Sequence, residues 1–317
     1  MSSPLVSILI PAFNREKYIA DTLQSALHQT YQNLEIIVVD NHSSDNTWMI
    51  LKELSENDHR IKIFQNSENI GPMRNWKRCI DEASGEYGKI LWSDDLIDPE
   101  FITKTLPFLL DNPDVGFAYS GVEVFDEEND IRSNAGYIGE SGLYPSEEYI
   151  HSIIIGKDYP LSPGCAIFRM KDLRTNMLLD IPNKVGSDFS MLAIGNDLLI
   201  FLLTAINYKY FAFVNQKLSF FRVHSDSISI ASNNAKLVFH YDIAKAYFLE
   251  NYYNDIKLIK KLNVLLYKHL SRYKGYSDKF TRINDFYMHN RCFSADLGYQ
   301  LERFGIRLRK TLKKILR

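Results

Sequence analysis

The sequence predicts an α/β protein with a mostly parallel sheet flanked by helices, followed by a helical C-terminal region. Short β-rich runs alternate with helical spacings of apolar residues through about the first hundred positions. From Ala235 onward the strand patterns disappear, and helical patterns rich in Tyr, Leu and Lys continue to the end. The 317 residues are 45% hydrophobic and 13% aromatic, amounts typical of a folded globular chain with a sizeable core.

The first strand pattern covers residues 5–10 and ends at Pro11, and a helical spacing begins at Tyr18. The same order repeats, with strand patterns at 34–39, 61–64 and 87–92. Gly71 and Pro72 mark the start of the third helix, and Gly85 marks its end. Such alternation builds a parallel sheet with helices on both faces.

The later elements are a strand at 115–120, a strand at 164–168, a buried helix at 198–206 and two short strands within 209–223. The acidic segment 126–130 is expected to be a solvated loop, and no function is assigned to it.

Charge and cysteine content exclude several classes of protein. The 37 Lys and Arg against 39 Asp and Glu give a net charge of −2, which argues against nucleic acid as a partner. Cys79, Cys165 and Cys292 are too far apart for a zinc site, so we expect reduced thiols in a cytosolic protein. The first residues lack the features of a signal peptide, and the apolar run that begins at Leu198 is too short to cross a membrane.

The loops that follow the strands carry the candidate ligand-binding residues, because ligands of such sheets bind beyond the carboxyl ends of the strands. The first strand is not followed by a glycine-rich dinucleotide motif, and residues 85–89 are too short for a Walker loop. Dinucleotide oxidoreductases and P-loop ATPases are thereby excluded. The remaining candidates are the carboxylates at strand ends: Asp40, Asp45, Asp94, Asp95 and Asp98.

Asp94 and Asp95 follow an apolar strand and precede a helix start at Pro99. Adjacent like charges repel unless a cation joins them, and Mg²⁺ or Mn²⁺ bridging a diphosphate would supply that cation. The alternative is that one aspartate caps the helix while the other is solvated.

An ordered set of sequence blocks resembles the N-terminal signature of the family 2 glycosyltransferases. The blocks lie at residues 6–15, 25–31, 35–40, 69–75 and 83–87, and Ser93-Asp94-Asp95 stands where that family has its metal motif. The resemblance is strong over residues 4–120 and weaker over 160–230. It implies a GT-A fold, a nucleotide-diphosphate sugar donor, a divalent metal (Mn or Mg) and inversion at the anomeric carbon.

The resemblance also implies roles for individual residues. Asp40 would contact the nucleotide base, Asp94 would bind the metal, and Trp92 replaces the first aspartate of the family's D-x-D motif, a loss that Asp95 could offset. The residues that would line the donor are Pro11, Phe13, Asn14, Arg15, Asp40, Arg74, Ser93, Asp95 and Arg222. His224, in a segment similar to the family's R-x-H motif, would complete the metal shell, and Arg222 would neutralise the leaving diphosphate.

Inverting transfer needs a base for the acceptor hydroxyl. Asp197, at the start of the buried helix, matches the family's catalytic aspartate, with Asn196 in place of the usual glutamate. Asp188 is a competing candidate, and Asp197 could instead be only a helix cap.

The implied organisation has a nucleotide-sugar-binding half (1–120), an acceptor-binding half (121–234) and a helical C-terminal region (235–317). Residues 303–317 carry seven Lys and Arg and no acidic residue, and the apolar positions from Leu301 to Ile315 lie on one helical face. This pattern predicts a basic amphipathic helix that contacts an anionic membrane surface, unless the helix docks on the body of the protein.

The sequence thus predicts a glycosyltransferase of cell-surface, O-antigen-like polysaccharide synthesis, peripheral at the inner face of the membrane. Its acceptor would be a saccharide, expected to be lipid-linked. The alternatives are a non-catalytic binding or scaffold protein that Trp92 and Asn196 keep open, and, more weakly, a sugar nucleotidyltransferase.

Overall fold

The computed structural model describes residues 3–157, 159–225, 227 and 232–289. The predicted basic helix at 301–317 and Cys292 lie outside the described residues. Cys79 and Cys165 are buried free thiols, as the cysteine spacing predicted.

A ten-stranded mixed sheet forms the centre of the fold, with the strands in the order β3-β2-β1-β4-β9-β6-β10-β5, while β7 pairs with β6 and β8 with β10. The strands are β1 (Val6–Ala12), β2 (Leu34–Asp40), β3 (Ile61–Gln65), β4 (Tyr87–Ile90), β5 (Leu96–Ile97), β6 (Val115–Asp126), β7 (Ile131–Ala135), β8 (Gly142–Pro145), β9 (Ala166–Arg169) and β10 (Tyr210–Arg222).

The helices are α1 (Ile19–Leu27), α2 (Thr47–Asn57), α3 (Pro72–Asp81), α4 (Phe101–Asp111), α5 (Ser146–Ile154), α6 (Met170–Asn176), α7 (Phe189–Leu192), α8 (Asn196–Ala205), α9 (Asn234–Asn251) and α10 (Ile256–Arg272). Among the helices in the described part of the chain, none is both long and apolar enough to span a bilayer.

The N-terminal part of the sheet is parallel, as predicted. β1 pairs in parallel with β2 and β4, and β2 pairs in parallel with β3. β9 then enters antiparallel between β4 and β6, and β10 restores a parallel pair with β6. The α/β class, the flanking helices and the helical C-terminal region are therefore confirmed.

Alternate residues along the central strands belong to two separate cores. Ile8 and Ile10 of β1 pack in the core shared with α1, α2 and α4, whereas Leu9 packs in the core shared with α3, α6 and α8. The side-chain period of two in a strand explains the division. Helices thus cover both faces of the sheet, and the second core extends to α9 and α10.

Several details of the secondary structure differ from the predictions, since β6 continues to Asp126 instead of ending at Ser120 and β4 ends at Ile90 instead of Trp92. The region predicted as two short strands is the single strand β10, whose pairing with β6 shifts register between Val214 and Lys217. The polar residues at that irregularity interrupt the β pattern without ending the strand. Likewise, β9 begins only at Ala166, because Pro163–Cys165 form a turn of 3-10 helix.

Glu35 of β2 ties the parallel strands to the turn that precedes β4. One carboxylate oxygen accepts hydrogen bonds from the Ser7 hydroxyl at 2.6 Å and from the amides of Ser84 and Gly85 at 2.6 and 3.1 Å. The other accepts from Lys62 at 2.6 Å. Burial by itself raises the pKa of Glu35, but these donors together lower it below its ordinary value.

Glu35→Gln should lower the free energy of unfolding by about 1–3 kcal/mol, because an amide cannot accept from all four donors and leaves buried groups unpaired. Urea denaturation followed by circular dichroism measures the change. Glu53→Gln, on the exposed face of α2, is the matched control and should leave stability unchanged. Equal midpoints for both variants would contradict the structural role of Glu35.

Candidate active site

The loops after β1 and β2 are joined to each other by side-chain hydrogen bonds. The backbone amide of Asn14 donates to Ser43 Oγ at 2.8 Å, and the backbone amide of Ser44 donates to the side-chain Oδ1 of Asn14 at 2.9 Å. The backbone amide of Arg15 donates to Thr47 Oγ1 at 2.7 Å. Asn14 has a φ of 52°, in the left-handed region that asparagine tolerates better than most residues. The two loops therefore form one preorganised wall at the carboxyl edge of the sheet.

Asp40, at the end of β2, is fully buried within this wall. One carboxylate oxygen accepts from the Ser43 amide at 3.1 Å and from Gln65 Nε2 at 2.9 Å, and the other accepts from the Ser43 hydroxyl. These contacts hold the loop after β2 in place. Contact between Asp40 and a nucleotide base stays a prediction.

An amide network supports the wall from behind. Asn41 Nδ2 donates to Asn69 Oδ1 at 2.8 Å, and Asn66 Nδ2 donates to both Asn41 Oδ1 and Asn75 Oδ1, at 2.8 and 2.9 Å. Asn75 Nδ2 in turn donates to the Val39 carbonyl at 3.0 Å. The network links the loops after β2 and β3 to α3.

Asp94 lies where three chain segments meet. Its Oδ2 is 3.0 Å from His224 Nε2 and 3.3 Å from Arg15 Nε, and its side chain is 14% exposed. Burial alone raises the pKa of Asp94, but the hydrogen bond with His224 and the charge of Arg15 bring it below the ordinary value. The structure thus brings together the two residues predicted to bind the metal, along with one donor-loop residue.

Asp95 is directed away from Asp94, towards β10. Its Oδ1 accepts the backbone amide of Arg222 at 2.9 Å, and its carbonyl accepts Thr22 Oγ1 at 3.0 Å. Burial, and then the neighbouring Asp94 charge, raise the pKa of Asp95 well above its ordinary value. Through these contacts, Asp95 holds the turn against α1 and β10. Its contribution to donor binding stays a prediction.

Arg222 is buried between two aromatic rings and several acceptors. Its guanidinium carbon is 5.1 Å from the Tyr18 ring centroid and 4.9 Å from that of Phe125. Nε donates to the Asp94 carbonyl at 3.0 Å, and the guanidinium pairs with Glu127 and, at 3.6 Å, with Asp21. Glu127 belongs to the acidic loop to which no function was assigned, and here it contacts the centre of the site.

Trp92, which occupies the first position of the metal motif, is part of the packing beneath it. Its Nε1 donates to Ser162 Oγ at 2.8 Å, and its ring centroid is 4.4 Å from that of Trp76 on α3. The motif therefore supplies one outward carboxylate, Asp94. Ser93 lies between Trp92 and Asp94 and is buried. Its contact with the donor stays a prediction.

Asp94 and His224 fit a divalent cation whose remaining ligands come from a diphosphate. A carboxylate and an imidazole are both ligands that Mn²⁺ accepts, and Mg²⁺ uses one or two carboxylates together with substrate phosphates. The buried Nδ1 of His224 has no hydrogen-bond partner among the described residues. Among the described residues, no cluster of three or more His, Cys, Asp or Glu that could hold a metal ion occurs.

A cavity of about 430 Å³ is open on the side of α3 that faces α7. It is lined by Arg74, Leu179, Asp180, Gly186, Ser187, Asp188 and Ser190. Arg74 Nη1 donates to Ser190 Oγ at 3.3 Å. Asp188 Oδ1 accepts from the Ser190 hydroxyl at 2.6 Å and from the Ser190 amide at 3.0 Å, contacts that lower its pKa. The cavity thus joins one predicted donor residue to the competing base candidate.

Asp197, the predicted base, is buried at the first turn of α8. Its Oδ1 accepts the amides of Gly195 and Leu198 at 2.9 and 2.8 Å, and its Oδ2 accepts the Tyr241 hydroxyl at 2.7 Å. Burial raises its pKa to about 6 in spite of these hydrogen bonds. Tyr241 of α9 covers the carboxylate, so the catalytic role of Asp197 stays a prediction.

Several of these contacts were not predicted from the sequence. Gln65, Glu127, Tyr241 and, within the amide network, Asn41 and Asn66 lie outside the sequence motifs, and they become significant only through their partners. Asn41 and Asn66 each stand directly after a strand, and this position was the only feature of the sequence that marked them as candidates. The position does not predict which side-chain amides pair with each other.

Comparisons with known proteins identify the family of the chain. The model of the family described as Glycosyl transferase family 2 matches residues 7–176, more than half of the chain. The chain belongs to glycosyl transferase family 2. A glycosyltransferase of Haemophilus influenzae with no assigned function is 37% identical over 125 residues, which are 39% of each chain.

The GalNAc(5)-diNAcBac-PP-undecaprenol beta-1,3-glucosyltransferase of Campylobacter jejuni is 35% identical over 117 residues, or 37% of each chain. This family 2 chain spans less than half the length of both relatives. The crystal structure of S. aureus TarS 1-349 in complex with UDP-GlcNAc superimposes with a TM-score of 0.62 at 20% identity, covering 86% of this chain and 75% of that one. That likeness shows the shared GT-A fold.

The raised pKa of Asp197 predicts a pH-dependent effect on stability. Its folded-state value of about 6 lies above the ordinary 3.8, so the folded protein binds the proton more tightly and gains stability as pH falls through 6. Asp197→Asn removes this pH-dependent contribution to the free energy of unfolding. The unfolding free energy of the parent relative to Asp197→Asn should rise by about 2 kcal/mol between pH 7.5 and 4.5.

Chemical denaturation at a series of pH values measures this difference. Asp188→Asn is the control, because the pKa of Asp188 is lowered and its titration lies below the range of the experiment. A difference between parent and Asp197→Asn that does not vary with pH would show that Asp197 titrates normally.

Proposed function

We propose that this chain is an inverting glycosyltransferase that moves a sugar from a nucleotide-diphosphate donor to a saccharide acceptor. The observation that carries the proposal is the meeting of Asp94, His224 and Arg15 beside the wall formed by the loops after β1 and β2. In a family 2 chain, groups that can bind a metal ion beside such a wall support the assignment of a nucleotide-diphosphate site.

The donor would lie along the wall, with its base near Asp40 and the loop from Pro11 to Arg15. Phe13 has 40% of its side chain exposed in that loop and can stack on a base. Arg74, exposed at the start of α3, can reach a ribose or phosphate. Arg222 would act through Asp94 and Asp95, because its guanidinium is already held by protein acceptors.

Asp94 and His224 would hold Mn²⁺ or Mg²⁺ at the diphosphate. When bound, the ion supplies positive charge that offsets the charge of the leaving group. Arg15, 3.3 Å from Asp94, adds a fixed cation at the same place.

Transfer is a single displacement. The acceptor oxygen forms a bond to the anomeric carbon, the bond from that carbon to the diphosphate breaks, and the hydroxyl proton passes to a carboxylate. We assign that role to Asp197, whose raised pKa suits a base, with Asp188 as the competitor because it is exposed at the cavity. For Asp197 to act, the Tyr241 hydroxyl must leave Oδ2 or relay the proton.

The acceptor would be lipid-linked and part of cell-surface polysaccharide synthesis. Support comes from the Campylobacter jejuni relative, whose name specifies an undecaprenol-linked substrate. A basic C-terminal helix would bring the enzyme to the inner face of the membrane, and residues 1–120 and 121–234 would serve as donor and acceptor halves.

A non-catalytic nucleotide-sugar-binding or scaffold protein is the second candidate. Trp92 is built into the packing, and Asn196 is buried with its Nδ2 donating to the Leu178 carbonyl at 2.9 Å, so neither supplies the carboxylate found at these positions in the family. Nucleotide binding without transfer in the parent would favour this candidate.

Asp94→Asn should abolish metal-dependent binding of the nucleotide diphosphate. A thermal-shift screen of UDP, GDP and dTDP with and without MnCl₂ measures it, since a ligand at 100 times its Kd stabilises by about 2.7 kcal/mol. Asp81→Asn, on the exposed face of α3, is the control and should respond like the parent. If Asp94→Asn retains the whole Mn²⁺-dependent shift, the metal assignment is wrong.

Asp197→Asn should lower transfer by about 10²–10⁴-fold while nucleotide affinity changes little, because a positioned base contributes on that order. Radiolabelled sugar transfer to a bacterial lipid extract gives the rate, and the thermal shift gives the affinity. Asp188→Asn is measured in parallel. A large loss in Asp188→Asn with near-normal transfer in Asp197→Asn would move the role of base to Asp188.

A further inference from the structure

The cavity beside α3 contains a hydroxyl whose hydrogen-bonding direction is fixed by a buried histidine. Ser187 Oγ lies 3.0 Å from His240 Nε2, and His240 Nδ1 lies 2.6 Å from the Lys236 carbonyl oxygen. Ser187 lines the cavity, whereas His240 is 4% exposed and comes from α9. Neither residue belongs to a sequence motif, and neither has been given a role so far.

The chemistry of the two contacts determines where each proton lies. A carbonyl oxygen only accepts, so Nδ1 of His240 must carry the hydrogen that it donates to Lys236. A neutral imidazole has one N–H, so Nε2 accepts and the Ser187 hydroxyl donates to it. Burial lowers the pKa of His240, which favours this neutral form.

Ser187 Oγ therefore offers only lone pairs to the cavity. Its backbone is fixed as well, because the Ser187 amide donates to Asn183 Oδ1 at 2.9 Å and the Ser187 carbonyl accepts Asn183 Nδ2 at 2.8 Å. His240 is itself held by packing against Phe189, with ring centroids 5.3 Å apart. The hydroxyl is a preorganised hydrogen-bond acceptor.

The other polar groups of the cavity complement this acceptor. Asp180 and Asp188 supply exposed carboxylates, which accept from hydroxyl groups, and Arg74 supplies a donor. A ligand with several neighbouring hydroxyls can donate to the three acceptors while accepting from the arginine. Saccharides have this chemistry, and a cavity of about 430 Å³ has room for one or two sugar rings.

We propose that the Ser187–His240 pair binds a hydroxyl of the acceptor saccharide in the cavity lined by Arg74, Asp180 and Asp188. The inference rests on the proposed function, which it extends by naming the acceptor subsite and a positioning residue. His240 acts through Ser187, because it fixes the direction of the Ser187 hydrogen bond without touching the sugar.

Binding of simple glycosides tests the proposal without knowledge of the natural acceptor. The probes are methyl β-D-glucopyranoside, methyl β-D-galactopyranoside and methyl N-acetyl-β-D-glucosaminide, followed by saturation-transfer-difference NMR with and without UDP and MnCl₂. Ser187→Ala should weaken binding of the best probe by about two- to tenfold, as expected for one hydrogen bond. Ser187→Thr keeps the hydroxyl and should retain binding.

Variants at His240 separate positioning from simple packing. His240→Gln retains an acceptor for the Ser187 hydroxyl and should keep at least half of the affinity for the best probe. His240→Phe keeps a ring against Phe189 without an acceptor and should bind as weakly as Ser187→Ala. Ser55→Ala, which removes an exposed hydroxyl on α2 that donates to the Lys52 carbonyl at 2.9 Å, is the matched control.

Melting temperatures and nucleotide shifts of the same samples distinguish the outcomes. The proposal is overturned if the parent binds none of the three probes, or if Ser187→Ala binds them as the parent does and only melts earlier. If no nucleotide shifts the parent but Ser187→Ala still loses glycoside binding, the donor assignment fails while the saccharide subsite stands. A nucleotide shift in every variant, with glycoside binding lost only in Ser187→Ala and His240→Phe, supports both.

Discussion

Two adjacent carboxylates that leave a buried strand cannot both face the same poorly solvated space, and the turn at Asp94 and Asp95 resolves this conflict by sending them apart. Asp94 is directed to Arg15 and His224, while Asp95 accepts the backbone amide of Arg222. The short pairing of β5 with β10, with Leu96 opposite Phe220, brings Arg222 and His224 to the turn. Each carboxylate is thereby matched by positive charge or by an N–H donor.

Arg222 connects this turn to the rest of the site. Its ring contacts with Tyr18 and Phe125 and its pairing with Glu127 join the start of α1, the end of β6 and the turn at Asp94 and Asp95. Because a buried guanidinium is costly without partners, these segments are held together as a unit. His224 lies two residues after Arg222, so the contacts of Arg222 also fix the position of His224.

The C-terminal helices contribute chemistry as well as packing. From α9, Tyr241 covers the predicted base Asp197, and His240 sets the direction of the Ser187 hydroxyl in the neighbouring cavity. Both residues come from a part of the chain beyond the segment matched to the family, residues 7–176. The surroundings of Asp197 and Ser187 therefore depend on residues outside the matched segment.

The sequence by itself determined the alternation of strands and helices, the parallel pairing of β1 to β4 and the placement of Asp40 and Asp94 at the carboxyl edge. These features follow from local periodicity, because apolar spacing and strand-ending loops depend on residues close together in the chain. The family resemblance already implied that Asp94 and His224 belong to one metal shell, but only the tertiary structure decided that Glu127 meets Arg222 and that Tyr241 closes over Asp197. Such pairings depend on how distant segments pack, and the local pattern of a polar residue is the same whether its partner is water or a side chain from the far end of the chain.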